Sequence, residues 1–289
     1  MTEQFVTMKD GTKIFTLVYD GGFDQTLLML HGGPGASCDY LRYPAKLLAQ
    51  HVNVVLFDQR GVRRSDAIEL EGFDFQILID DIDDIKKALN IEKWHVLGHS
   101  FGGLLALLYA TKYQADVETV IFECPTFCYS DSTNYVIETI KPKLTEHGCF
   151  NAELSHAKEH SLSGLFSVLG KLPKPVVKEF YHPFPIHDGA KVFQTAFSSE
   201  ESAKTKVFRE LVMNNTFASE NHFEKLKQLS MPSLLMVGEY DAVCSPKQQE
   251  AFASGVVNGE TMILPNCGHT LHNEIPQVFI EKVLEFIER

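Results

Sequence analysis

Gly98-His99-Ser100-Phe101-Gly102 is the segment of this chain best suited to nucleophilic chemistry. It lies between an apolar run, Trp94–Leu97, that reads as a strand and a run, Leu104–Tyr113, that reads as a helix. Gly-x-Ser-x-Gly alone is a weak signal, but strand-turn-helix is the setting a nucleophile elbow requires. Such a turn holds its serine in a strained backbone conformation. The flanking glycines let strand and helix approach without a Cβ between them, and the helix N-terminus points N–H groups at the site. The competing reading, a glycine-rich helix start with a capping serine, suits the context less well.

His31-Gly32-Gly33-Pro34-Gly35 follows an apolar strand-like run, Thr26–Leu30. A glycine turn there can aim a backbone N–H at the space above Ser100, and the N–H of Phe101 would complete a two-donor oxyanion hole. A phosphate loop is excluded by spacing, since neither G-x-G-x-x-G nor G-K-[ST] occurs here; a plain tight turn stays open. A serine needs a base, and the base needs a carboxylate that fixes its tautomer. In chain order an acid and then a histidine should follow on later strand ends. Asp241, in Gly238-Glu239-Tyr240-Asp241 after the run Ser233–Val237, is the preferred acid, with Glu239 and Glu123 as rivals. His269, preceded by Cys267-Gly268 after the run Thr261–Leu264, is preferred over His272. His95, His182 and His187 lack such a context and read as structural or surface groups.

The elements that must hold these residues alternate. A hairpin is expected at the start, from Phe5–Met8, a turn at Lys9-Asp10-Gly11, and Lys13–Tyr19. Val52–Phe57 and Val117–Phe122 read as further strands, and a helix is expected near Pro246–Ala253 and another from about Asn273. Phe75, Leu78, Ile79, Ile82 and Leu89 recur at helical spacing, with Asp80, Asp81, Asp83 and Asp84 toward the front of that helix and Lys86 and Lys87 at its rear, as the helix dipole favours. This alternation predicts an α/β fold with a mainly parallel, doubly wound sheet covered on both faces. Between 126 and 218 it stops. That stretch carries helical patterns broken by Pro142, Pro173, Pro175, Pro183 and Pro185, and reads as a helical cap inserted after strand six, leaving 1–125 and 219–289 as the core. Ten acids balance ten bases in the cap, so the acidity belongs to the main body. Nine of the 21 phenylalanines lie in the cap, which suits either an apolar pocket roof or a core of its own.

The 289 residues, 44% hydrophobic and 22% charged, are ordinary for a globular chain and enough for one large core. The net charge of −12 argues against a nucleic-acid surface. No signal peptide is legible at the N-terminus, and the longest apolar run, Leu104–Ala110, is far short of the roughly 20 residues that cross a bilayer. Six cysteines, at 38, 124, 128, 149, 244 and 267, are too sparse for a disulfide scaffold and form no C-x-x-C pair. A soluble cytoplasmic protein with reduced thiols and a small-molecule substrate is the expectation.

Over nearly the whole chain these elements resemble the α/β-hydrolase superfamily. His31-Gly-Gly-Pro-Gly35 together with Asp58-Gln59-Arg60-Gly61 and Ser65 resembles, more narrowly, the proline iminopeptidase family, which removes an N-terminal residue, often proline, from short peptides. The resemblance implies an eight-stranded sheet, a catalytic Ser100, Asp241 and His269, an oxyanion hole from Gly33 and Phe101, and neither metal nor cofactor. The serine at the elbow disfavours the epoxide hydrolases and dehalogenases, which carry aspartate there. The chain also departs from the family. Arg63 stands where a glycine is usual. Relatives hold the substrate amine with carboxylates, one directly after the catalytic acid, where this chain has Ala242, and one in an Asn-Glu-Phe near the end of the cap, where it has Asn215-Thr216-Phe217. Glu210 and Glu220 are the candidates to substitute for them. Two enzymatic readings follow, an iminopeptidase-type serine hydrolase acting on small amides and peptides, and a carboxylesterase or lactonase with an apolar acyl pocket. A non-catalytic receptor on the same fold is a third, disfavoured by the complete triad.

Overall fold

The computed structural model describes residues 1–69, 71, 73–146, 172–193 and 195–289, with the backbone alone at 143 and 144. Eight strands form one sheet in the order β1-β2-β4-β3-β5-β6-β7-β8: β1 Thr2–Thr7, β2 Lys13–Tyr19, β3 Thr26–Leu30, β4 Asn53–Phe57, β5 Trp94–His99, β6 Val117–Glu123, β7 Ser233–Gly238 and β8 Gly259–Leu264. The opening hairpin and the β2–β4 pair are antiparallel and every other pair is parallel. All five residues of β3, Thr-Leu-Leu-Met-Leu, are buried, as expected for a strand covered on both faces. Two apolar layers do the covering, one built around Trp94, Phe101 and Tyr109 and the other around Leu41, Leu56 and Phe279.

Helices α1 Arg42–Leu48, α2 Gln76–Ala88 and α3 Phe101–Lys112 alternate with the strands of the first half. Helix α3 buries every residue from Phe101 to Ala110, which is why its sequence is apolar all round instead of amphipathic. The acids of α2 do not occupy its first turn, which has none. They serve as partners instead. Asp81 takes a two-pronged hydrogen bond from Arg60, and Asp80 accepts from Lys112 and Tyr113. Between β6 and β7 the described residues form helices α4 Tyr129–Glu146, α5 Lys174–Tyr181, α6 Asp188–Lys191 and α7 Ser199–Met213, and no strand of the sheet. Helix α8 Phe223–Leu226 precedes β7, and α9 Pro246–Gly255, α10 Leu271–Glu274 and α11 Pro276–Ile287 complete the chain.

After β3 the chain steps outward to β4, and after β4 it crosses back to β5 on the other side of β3. A crevice opens outside the carboxyl ends of neighbouring parallel strands at such a reversal. Leu30 is in register with Gly98, so the loops that follow β3 and β5 start side by side at that crevice.

Candidate active site

Ser100 sits between β5 and α3 with φ 56° and ψ −119°, a left-handed backbone that a non-glycine residue adopts only under strain. Its neighbours explain how the turn is enforced. A Cβ on Gly98 would strike the Gly102 carbonyl, and one on Gly102 would strike the Leu30 carbonyl. The Ser100 N–H donates to the Glu123 carbonyl (3.0 Å), and its own carbonyl accepts from Gly103 N–H (2.9 Å). The first bond ties the elbow to the end of β6, and the second ties it to the first turn of α3.

The loop after β3 lies directly against it. A Cβ on Gly32 would come within 2.9 Å of the Ser100 Cβ, so only glycine allows this approach. His31 Nε2 accepts from the Gln59 N–H (3.1 Å), which leaves Nδ1–H to donate to the Gly32 carbonyl (3.0 Å), while the Gln59 amide donates to the His31 carbonyl (2.7 Å). The Asp58-Gln59-Arg60-Gly61 segment is thus the brace of the glycine loop. Gly32 N–H donates to the Tyr40 hydroxyl (2.5 Å), which meets His99 Nδ1 (2.8 Å), and His99 Nε2–H donates to the His269 carbonyl (2.9 Å). One chain of hydrogen bonds therefore joins the glycine loop to the histidine loop beneath Ser100.

His269 Nδ1 lies 2.8 Å from Asp241 Oδ1, and both side chains are buried. Asp241 also accepts from the N–H groups of Val243 and Cys244 (3.1 and 2.9 Å), so its carboxylate is fixed by the loop it belongs to. An acceptor on Nδ1 leaves the Nε2 lone pair of His269 to take a proton. The rivals fall elsewhere. Glu239 is exposed and accepts from Asn266 N–H. Glu123 forms a second acid–histidine couple with His272, whose Nδ1 lies 2.7 and 2.8 Å from its two oxygens and whose backbone N–H donates to it as well. Burial holds the Glu123 carboxyl up at about 7 and the His272 imidazole down at about 3. His99, Glu123 and His272 bring metal-ligand atoms within 4.8 Å of one another. Both nitrogens of His99 and the Nδ1 of His272 are, however, already committed to hydrogen bonds.

Ser100, His269 and Gly33 line one cavity of about 310 Å³, walled in part by Tyr129, Tyr181 and Val243. Phe101 opens α3 immediately beside it. Among the described residues no aspartate or glutamate lines this cavity. Glu210 is exposed beside Lys206 (3.8 Å) and Glu220 is also exposed, so neither expected substitute reaches the site; both sit on the outward face of their segments. Of the two readings of the cap phenylalanines, the described ones favour core packing over a pocket roof. Phe127, Phe180 and Phe208 pack into the core, and none of the described cap phenylalanines lines the cavity, whose aromatic wall is tyrosine. Phe150 and Phe166 lie outside the described residues. His182, set aside on sequence, does line the cavity. Its partner there, Thr270, is 88 positions away, so no local pattern marks it.

Residues 25–274 match the α/β hydrolase fold family. A proline iminopeptidase from Heyndrickxia coagulans is 34% identical over 302 aligned positions, covering 99% of this chain and 98% of the relative. One from Thermoplasma volcanium is 28% identical, covering 91% and 88%. Among solved structures, the proline iminopeptidase of Mycobacterium smegmatis superposes with a TM-score of 0.77 at 20% identity, covering 99% of this chain and 98% of that one. An esterase from Exiguobacterium antarcticum superposes at 0.72 and 19%, covering the whole of both chains. At those identities the two structures speak for the fold alone. The chain is a hydrolase that belongs to the α/β-hydrolase superfamily and, within it, to the proline iminopeptidase family.

Proposed function

We propose that the chain hydrolyses small acyl substrates through an acyl-enzyme on Ser100. The Ser100 hydroxyl adds to the acyl carbon while His269 Nε2 takes its proton, and Asp241 steadies the imidazolium that results. The oxyanion that forms is held by the backbone N–H groups of Gly33 and Phe101. His269 then gives the proton to the leaving oxygen or nitrogen, and a water repeats the sequence to release the acid. The reading is carried by one observation: the imidazole bonded to Asp241 shares a cavity wall with a serine held in a strained elbow. A fluorophosphonate probe is expected to label Ser100, and Ser100→Ala to abolish the label together with activity, by on the order of 10⁶-fold in kcat. Labelling that survives the substitution rejects the assignment.

Within the family, the cavity favours uncharged acyl esters over free amino-terminal peptides, because no carboxylate among the described residues lines it. We read 126–218 as the cap over 1–125 and 219–289, supported by the helices between β6 and β7. The five described cysteines are free and buried, which agrees with a reducing, cytoplasmic setting. No described helix is long and apolar enough to cross a membrane.

A further inference from the structure

His182 joins the cavity from the end of α5, and its protonation pattern can be read from its neighbours. Glu274 Oε1 accepts from the Thr270 N–H (3.0 Å) and the Thr270 hydroxyl (3.1 Å). That hydroxyl has one proton, so toward His182 Nδ1, 2.8 Å away, it can only accept. Nδ1 therefore carries the hydrogen, and Nε2 presents a bare lone pair that has no hydrogen-bond partner among the described residues. Burial, with smaller contributions from His269, His272 and Lys178, holds this imidazole down at about 4, so it stays neutral through the physiological range. Asn273, one turn beyond Thr270, lines the same cavity, and its Oδ1 is buried without a partner among the described residues.

These acceptors flank the proposed general acid. Thr270 follows His269 in the chain, the His269 N–H donates to the Tyr181 carbonyl (3.1 Å), and the rings of Tyr181 and His269 lie 5.5 Å apart. His269 must hand its proton to the departing atom, so a group beside it is placed to meet the leaving group. We propose that His182 and Asn273 form a neutral acceptor pole that recognises a hydroxyl on the alcohol portion of an ester substrate. An ammonium there would find no charge to pair with, and an alkyl group would leave the acceptors unsatisfied. A site built to bond a hydroxyl discriminates against the analogue that lacks it.

The pole rests on the reading of Ser100 as nucleophile, and the test separates the two. 2-Hydroxyethyl butyrate and propyl butyrate differ by a hydroxyl in place of a methyl group. Acid release from each is followed by titration at constant pH, and the ratio of kcat/KM is divided by the ratio of their hydroxide-catalysed rates. The wild type is expected to favour the hydroxyethyl ester by about tenfold or more, and His182→Phe to bring the ratio below about threefold. A corrected wild-type ratio near one, with hydrolysis that still disappears in Ser100→Ala, overturns the pole and leaves the nucleophile standing. A preference that persists undiminished in His182→Phe overturns it as well. Hydrolysis that continues in Ser100→Ala removes the reading beneath it. If His182→Phe does not fold, the wild-type ratio and its fall in Asn273→Ala decide.

Discussion

At the scale of single residues, Asp241 and Glu123 are alike in holding a histidine Nδ1 at hydrogen-bond distance, and they differ in what that histidine faces. His269 lines the cavity with Ser100, whereas His272 is fully buried behind it, its Nε2 without a hydrogen-bond partner among the described residues. Asp241→Asn is therefore expected to lower kcat by ~10⁴-fold through loss of the Nδ1–H tautomer. Glu123→Gln, compared in the same assay, should lose far less, and the reverse order would move the acid to the end of β6. Glu123 has a separate signature in stability. Burial raises its carboxyl from 4.5 to about 7, so between those values the folded chain holds a proton that the unfolded chain has released. Its contribution is favourable at low pH and is lost as pH rises from 4.5 through 7, by on the order of 3 kcal/mol. Denaturation of wild type and Glu123→Gln at several pH values should show the variant gaining on the wild type across that window. A pH-independent difference would show that Glu123 is not held protonated. Ser100 and His269 were legible in sequence because a glycine-framed turn between strand and helix is a local pattern. His182 was not, because its tautomer is set by Thr270 and Glu274 from a distant segment.

At the scale of elements, Arg63 shows what a departure from the family pattern accomplishes. Its backbone is left-handed, φ 45°, which accounts for the glycine usual at this place. Here the side chain spans two parts of the chain. It bonds Ser37 and Asp39 on one side, and on the other it donates to Thr195 (2.6 Å), approaches Glu201 of α7 (3.5 Å) and lies over the Phe197 ring (4.9 Å). Its N–H also donates to Thr205 of α7 (3.0 Å). Helix α7 in turn sends Arg209 to the Pro34 carbonyl (3.3 Å), so this clamp presses the helix onto the glycine loop. Arg63→Gly relieves about 1 kcal/mol of backbone strain. It also breaks a buried ion pair whose loss costs about 3 kcal/mol, for a net destabilisation of about 2 kcal/mol by urea denaturation. Amide hydrogen exchange should quicken in α7 and not in α3; unchanged exchange in α7 would mean that the clamp does not hold the helix. Strands β2 to β7 were readable from their apolar runs, whereas the run Phe5–Met8 misplaced β1, which is Thr2–Thr7 and mostly exposed. The partnering of the α2 acids was not readable, since periodicity marks a helix face without showing that Arg60 arrives on it.

At the scale of the whole molecule, the family and the cavity point to different substrates. Relatives carry the name proline iminopeptidase, and such an enzyme must hold a cationic amine. The net charge of −12 draws cations toward the chain, but over distances that salt screens within about 8 Å. Inside the cavity the described walls offer tyrosine, valine and the neutral imidazole of His182, and the position after Asp241 is Ala242. An ammonium confined there without an anionic partner costs several kcal/mol, whereas an uncharged acyl group carries no such penalty. The alcohol of an ester is also a better leaving group than the amine of an amide, so the same triad should cleave esters faster. Short p-nitrophenyl esters are therefore expected to be hydrolysed, and proline p-nitroanilide to be cleaved slowly or not at all. Comparing kcat/KM for proline p-nitroanilide with that for its N-acetylated form isolates the amine. The expected preference for the free amine is below about a hundredfold, equivalent to ~2.7 kcal/mol. A larger preference would demonstrate an amine pocket, and the chain would then be an aminopeptidase whose anionic partner lies outside the walls described above.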